Sequence, residues 1–383
     1  MRRLAVLVVA LCGCGRLGFE DRAIATEDCA LAIEPAQWRM NFNSTRAFAG
    51  TGGQAPYQYR FTGTGATLDA GSDTLRARDQ PGTGTVTVTD GAGCTAEASV
   101  EIGGDTLWYV GGSSMGVPSA QVYKSTDGAT WTLAGSLPDK RTSGALYVFE
   151  DQLIWATGTD GVGPKTDVFA STDGAAWVKI GDVPTASANP GFAVFQGRMW
   201  LVGGAASPDT RLVFSSDGGM VWTQTGQLPD DNHGGAVAAT ADKLWYIGGH
   251  NSNTGMLYRW ALSSTDGVTF QQPGMLAMGR EYAAAIAIGD TIVIAGGQDT
   301  TPTTMASVLT TQTGTTFAMQ PPMPVARAFT TLVRFGDFLY SIGGNDGGGV
   351  VRAPVTGGAW APVAGDFPQP RQGGRVAVFT PGS

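Results

Sequence analysis

The chain holds two histidines, His233 and His250, four cysteines, and 24 Lys and Arg against 32 Asp and Glu, for a net charge of -8. Asp230 and Asp231 stand just before His233, and a His–Asp pair is the smallest arrangement that performs general acid–base work. Two imidazoles with no third ligand at a regular spacing are a poor metal set, so no metal and no cofactor is expected. Arginines offer a different chemistry. Arg141, Arg280, Arg327 and Arg371 each stand eight residues before the end of a short apolar run closed by Phe149, Ile288, Phe335 and Phe379. Ser187 and Asn232 take that place before Phe195 and Thr240. Guanidinium forks bind carboxylates bidentately, so four of them around one mouth would hold a carboxylate-bearing sugar or an acidic peptide. The other reading is that each pairs inside its own segment, as Asp139 beside Arg141 and Glu281 beside Arg280 suggest. Candidate ligand-binding residues are therefore Arg141, Arg280, Arg327, Arg371, Asn232, His233 and His250, and no catalytic residue is assigned.

Those residues must be positioned by short strands. The chain has 383 residues, 57 of them glycine, with 42% hydrophobic and 15% charged, which describes a loop-rich globular protein long enough for more than one core. Runs rich in Val, Thr, Trp and Phe lie between Gly, Asp and Pro, and no helix is expected beyond residue 25. An acidic chain poor in Lys lacks the basic surface that nucleic acid or an anionic membrane requires.

Met1-Arg2-Arg3 and the apolar run 4–11 form a secretion signal too short to span a bilayer. The following Leu11-Cys12-Gly13-Cys14 resembles the lipobox of bacterial lipoproteins. That resemblance implies lipidation of Cys14, and Gly15 in place of Asp implies the outer membrane, with attachment through lipid only. Residues 1–14 are then signal and lipobox, and 15–28 a tether. Cys29 and Cys94 are the thiols left in an oxidising compartment, and they are expected to pair.

Residues 29–103 alternate as short strands with the hairpin turn Asp90-Gly91-Ala92-Gly93, the pattern of a small β-sandwich. The segments Gly52-Gly53-Gln54-Ala55-Pro56-Tyr57 and Val88-Thr89-Asp90-Gly91-Ala92-Gly93-Cys94 resemble Ig-like repeats of bacterial surface adhesins, which implies adhesion or a stalk.

Residues 105–383 are a repeat array. Leu244-Trp245-Tyr246-Ile247-Gly248-Gly249 and five near-copies end in glycines at 112, 158, 204, 249, 297 and 344, at intervals of 46, 46, 45, 48 and 47 residues. Each repeat continues through a polar loop, a Ser-x-Asp-Gly turn with Thr313-Gly314 and Gly357-Gly358 in its place in the last two, an aromatic strand and a further strand, so four strands make one blade. The glycine pair, the aromatic that follows and Pro-x-x-Arg resemble the kelch repeat. The fold expected is all-β: a six-bladed kelch-like β-propeller preceded by a small Ig-like β-sandwich, the last strand 375–379 completing the first blade. Trp108, Ile154, Trp200, Trp245, Val293 and Tyr340 share one register and are expected to pack between blades. Ser215-Ser216-Asp217-Gly218-Gly219-Met220-Val221-Trp222 resembles the Asp-box of sialidases, and a structural turn is expected there. Loops 113–119, 159–166, 205–210, 250–256, 298–305 and 345–349 vary and are polar, which marks their face as the binding face. The expected function is binding of a protein or glycan partner on that face. An enzyme of isomerase or mutarotase type, acting on an anionic sugar, is the alternative.

Overall fold

The computed structural model describes residues 29–40, 45–69, 71–78, 82–102, 105–206, 208–345, 349–365, 367 and 371–380. The signal, Cys14 and the tether lie outside the described residues. Every regular element among those described is a strand, so the protein is all-β. No helix is long and apolar enough to cross a membrane among these residues.

In the N-terminal part, the strands Gln37–Met40, Thr95–Ile102, Gly82–Thr89 and Gln58–Gly63 form one sheet and Thr45–Ala47, Thr74–Ala77 and Ala66–Leu68 another. Alternation along Thr95–Ile102 buries Ala98, Val100 and Ile102 while Thr95, Glu97, Ser99 and Glu101 face away, as a half-buried strand must. These side chains join Leu75, Val86, Val88, Phe48 and Met40 in a single apolar cluster. The disulfide Cys29–Cys94 ties the chain's entry to the Asp90 turn, closing a separation of 65 residues. Asp90 shapes that turn by accepting from the amides of Gln54, Ala92 and Cys94.

Beyond residue 105 the repeat becomes six antiparallel sheets in chain order. Sheet one runs Arg375–Phe379, Thr106–Val110, Val117–Ser125 and Thr132–Arg141, so the last strand of the chain pairs with the first of the array, Phe379 opposite Thr106. Sheets two to six begin at Ala145–Phe149, Gly191–Phe195, Ala236–Ala239, Ala284–Ile288 and Thr331–Phe335. The six first strands touch in a closed cycle: Arg375–Phe379 meets both Ala145–Phe149 and Thr331–Phe335, and each of the others meets its two neighbours.

One turn before each first strand, a second cycle closes through the backbone. The amide of Ser143 donates to Gly373, Asn189 to Ser143, Gly234 to Asn189, Tyr282 to Gly234, Phe329 to Tyr282 and Gly373 to Phe329, at 2.6, 2.7, 2.9, 2.7, 3.0 and 3.1 Å. All six residues have φ between 49° and 67°. The left-handed conformation turns each amide towards the neighbouring sheet, and its recurrence at one register shows that the ring imposes it.

Neighbouring sheets interlock at the opposite end. Trp108, Ile154, Trp200, Trp245, Val293 and Tyr340 are all buried. Each aromatic sits beneath the turn glycine of the next sheet, so that a Cβ on Gly174 would come within 2.5 Å of Trp108 and one on Gly128 within 2.6 Å of Tyr340. Between sheets five and six the register holds the small Val293, and a cavity of about 310 Å³ opens there, lined by Val293, Gly357, Gly358 and Trp360. The turns are held by side chains: Asp127 accepts from the amides of Ala129 and Thr130, Asp173 from Ala175 and Ala176, and Asp266 from Val268 and Thr269. The indoles of Trp131, Trp177 and Trp222 donate back to the turn carbonyls of Gly128, Gly174 and Gly219. In the Asp-box segment the longer turn shifts the roles. Ser216 takes the amides of Gly218 and Gly219, and Asp217 forms a 3.6 Å ion pair with Arg198.

Candidate functional site

The four register arginines are buried inside their own sheets. Arg280 donates to the carbonyl of Gly296 at 3.0 Å, Arg327 to that of Gly343 at 3.2 Å and Arg371 to that of Gly111 at 3.3 Å. Asn232 does the same for Gly248 with its amide at 3.2 Å. These positions therefore hold the carbonyl of the first glycine in each pair, whose left-handed turn leaves it without a strand partner. Arg371 also reaches Gln121 and Tyr123, and Arg141 is held by Asp139 and Asp167. Each of the four is thus buried and hydrogen-bonded within its own sheet.

The residues just after this register lie at the backbone ring, and here the repeats differ in chemistry. Bridges pair Thr142 with Thr159, Ala188 with Ala205, His233 with His250 and Glu281 with Gln298. His233 and Glu281 thus occupy equivalent places in adjacent sheets, followed on the ring by Gly234 and Tyr282. The His233 and His250 rings lie 5.4 Å apart.

His233 Nδ1 lies 2.8 Å from Asp209 Oδ2, and the same oxygen accepts from the amide and hydroxyl of Ser252 at 2.8 and 2.6 Å. Burial would raise the pKa of Asp209, but the Ser252 bonds and the imidazole outweigh it and hold the carboxyl below its ordinary range. An ionised Asp209 can only accept, so Nδ1 carries a proton, and Nε2 lies 2.9 Å from the Tyr282 hydroxyl, from which it accepts when the ring is neutral. Glu281 Oε2 lies 3.6 Å from His233 Nε2 and 3.5 Å from His250 Nδ1, ion-pair rather than hydrogen-bond distances. Burial alone would lower the pKa of His233; Glu281 and Asp209 together turn the shift upward. Burial, aided by Glu281, raises that of Tyr282.

Sequence proximity suggested Asp230 and Asp231 as partners of His233. Asp230 instead accepts from Tyr258, whose phenol is pushed up to about 12 by burial and by that carboxylate. The partner is Asp209, in the loop of the preceding sheet. Asp209, Glu281 and Tyr282 were missed because they come from other repeats. Aligning the residue after the arginine register would have found Glu281, since it falls in the column of His233.

Tyr282 stacks on Phe329 with ring centroids 3.9 Å apart. Both are left-handed, a conformation that costs a non-glycine residue about 1–3 kcal/mol and that Gly234 and Gly373 adopt freely at the same register. They border a central cavity of about 140 Å³, just inside the ring, with Asn189, Phe192, Thr331 and Arg375. Arg375 donates through Nε to the Gly144 carbonyl at 2.7 Å, and its guanidinium lies 5.2 Å from the Phe192 ring.

Neither a protein-family model nor a curated protein matches the chain. Among solved structures, that of YjhT is similar, with 15% identity over 72% of this chain and 93% of that one and a TM-score of 0.54. At that identity the likeness is one of fold alone.

Proposed function

We propose that residues 105–383 form a six-bladed kelch-like β-propeller, that residues 29–103 form an Ig-like sandwich preceding it, and that the whole is a lipid-anchored outer-membrane protein. In this reading the propeller is a binding module, and its ligand is the acidic end of a glycan seated in the central cavity. The observation that carries the ligand class is Arg375. Burial draws its pKa down to about 10, which leaves it charged at neutral pH, and no carboxylate pairs with it among the described residues. A cation facing a cavity flanked by Phe192, Phe329 and Tyr282 suits a sugar that presents a carboxylate to the guanidinium and a C–H face to the rings.

The test uses the full chain and two monosaccharides, a hexuronic acid and the matching neutral hexose, in titration calorimetry. Preferential binding of the acid, weakened by salt and reduced at least tenfold in Arg375→Gln at unchanged melting, is expected. Equal affinity for acid and hexose, no binding of either, or acid binding unaffected by Arg375→Gln would overturn the reading. The hydrogen-bonded run Asp209–His233–Tyr282 favours a second reading, an enzyme of isomerase or mutarotase type on such a sugar, in which His233 receives a proton through Tyr282. Ring-opening or epimer exchange of the bound acid, followed by NMR, separates the two.

A further inference from the structure

His233, His250 and Glu281 converge from two adjacent sheets, and their nearest donor atoms all lie within 4.8 Å of one another. His233 and Glu281 are more than nine-tenths buried. Glu281 Oε1 receives the Gln298 amide at 3.2 Å, whereas its Oε2 is buried without a hydrogen-bond partner and looks between the two rings. A buried carboxylate oxygen left unmatched is costly, and native proteins rarely keep one without a use.

We propose that His233 Nε2, His250 Nδ1 and Glu281 Oε2 form a site for one divalent transition ion, zinc in the first instance. Two imidazoles and a carboxylate are the donor set of open, three-ligand zinc sites, which keep a fourth position for water or a ligand. Bonds of about 2.0–2.2 Å at tetrahedral angles place donors roughly 3.3–3.5 Å apart. The carboxylate stands at 3.6 and 3.5 Å from the two nitrogens, so little movement is required on that side. The His250 side chain, 19% exposed against 6% for His233, has the freedom to close the remaining gap.

Two further features match a ligated imidazole. A metal-bound histidine hands its other N–H to a carboxylate, which fixes ring orientation and tautomer, and Asp209 holds Nδ1 of His233 in that way while Ser252 anchors Asp209 in turn. The other nitrogen, Nε2, faces Glu281 and the Tyr282 hydroxyl, so an ion would take the lone pair that the phenol now meets and leave the phenol oxygen or a water near the fourth position. Tyr282 also borders the central cavity, which places the ion beside that cavity.

The experiment strips the full-length protein with chelator, equilibrates it with Zn²⁺ alone, and measures bound metal by mass spectrometry and melting by calorimetry. The same samples loaded with Co²⁺ are read for visible ligand-field absorption. One ion per chain and a higher melting temperature are expected. Affinity falls at least tenfold in His250→Ala and in Glu281→Gln, two substitutions chosen so that misfolding of one leaves the other to decide. Asp209→Asn, which keeps the side chain but not its charge, weakens binding by about 10–100-fold while Co²⁺ absorption persists at saturating metal. Arg375→Gln leaves Zn²⁺ uptake unchanged, so failure of the glycan reading and failure of this site are told apart. No stoichiometric ion in the wild type would overturn the proposal and leave the cluster as an ion-pair network. Undiminished binding in both His250→Ala and Glu281→Gln would overturn it too, placing the metal elsewhere.

Discussion

The two ends of the six sheets are built from the same repeat and have opposite characters. At the turn end most copies share one scheme: Asp127, Asp173 and Asp266 each take two amides of their own turn, and an indole returns to the turn carbonyl in three sheets. At the loop end the backbone agrees just as closely, through a ring of six hydrogen bonds, yet the side chains on that ring are Ser143, Asn189, Gly234, Tyr282, Phe329 and Gly373. One column earlier stand Thr142, Ala188, His233 and Glu281. Uniform side chains hold a scaffold, whereas chemistry gathers where a shared backbone carries dissimilar residues. In this molecule that place is the junction of sheets three, four and five.

What the two ends share is closure, and removing it has the largest expected effect. Deleting residues 375–383 takes away a first strand, its pairing with Thr106–Val110 and the buried Val376, Ala377 and Phe379. It also leaves Thr106–Val110 as an open edge to which other chains can pair. Loss of a cooperative calorimetric transition and aggregation on size exclusion are expected. A soluble truncated chain that melts like the full one would mean that the ring does not depend on the junction of its termini.

The next test acts on the interlock between sheets. Trp245 is 1% exposed and fills the space under the turn of sheet five, so Trp245→Ala is expected to cost about 3–5 kcal/mol in denaturant unfolding. Val293 holds the same register one sheet on, where the cavity of about 310 Å³ lies. Val293→Trp supplies there the side chain that three other sheets carry, and a gain of about 0.5–2 kcal/mol is expected, as for other cavity-filling changes. A loss on Val293→Trp would mean that the sixth sheet's turn, which carries Gly357 and Gly358 in place of Asp-Gly, has settled into a packing of its own.

How much was legible follows the same division. The all-β class and the Cys29–Cys94 bridge could be read because periodic glycines, alternating strands and compartment chemistry are properties of single segments. The burial of Trp108, Trp200 and Trp245 could be read from one register. The partners of His233 could not, because Asp209, Glu281 and Tyr282 reach it across sheet boundaries, and linear proximity favoured Asp230, which Tyr258 occupies. The arginine register was legible as a pattern, but its use was not. The carbonyls that Arg280, Arg327 and Arg371 hold belong to glycine pairs in left-handed turns, while Arg141 is taken by Asp139 and Asp167, and the sequence names the glycines without showing that their carbonyls lack strand partners.

The smallest effect lies in acid, at the uniform end. Amides of Thr269 and Val268, with the Ser264 hydroxyl, depress the Asp266 carboxyl to about 2. Asp173 is lowered chiefly by the amide of Ala176, and at Asp127 the turn amides outweigh a burial that would raise it. A carboxyl depressed in the folded state contributes stability above its unfolded pKa of about 3.9 and loses it as pH falls through the folded value. The window is therefore about pH 4 down to about 2. These groups are exposed, so solvent screening holds each to less than about 1 kcal/mol. Melting temperature should fall across that window, and Asp127→Asn, Asp173→Asn and Asp266→Asn combined should flatten the fall, because Asn keeps the acceptor oxygen and has no proton to gain. If the triple variant declines as steeply as the wild type, acid sensitivity lies elsewhere. Asp209 at the loop end is then the first carboxylate to examine, since its pairing with His233 and Ser252 is lost by the same protonation.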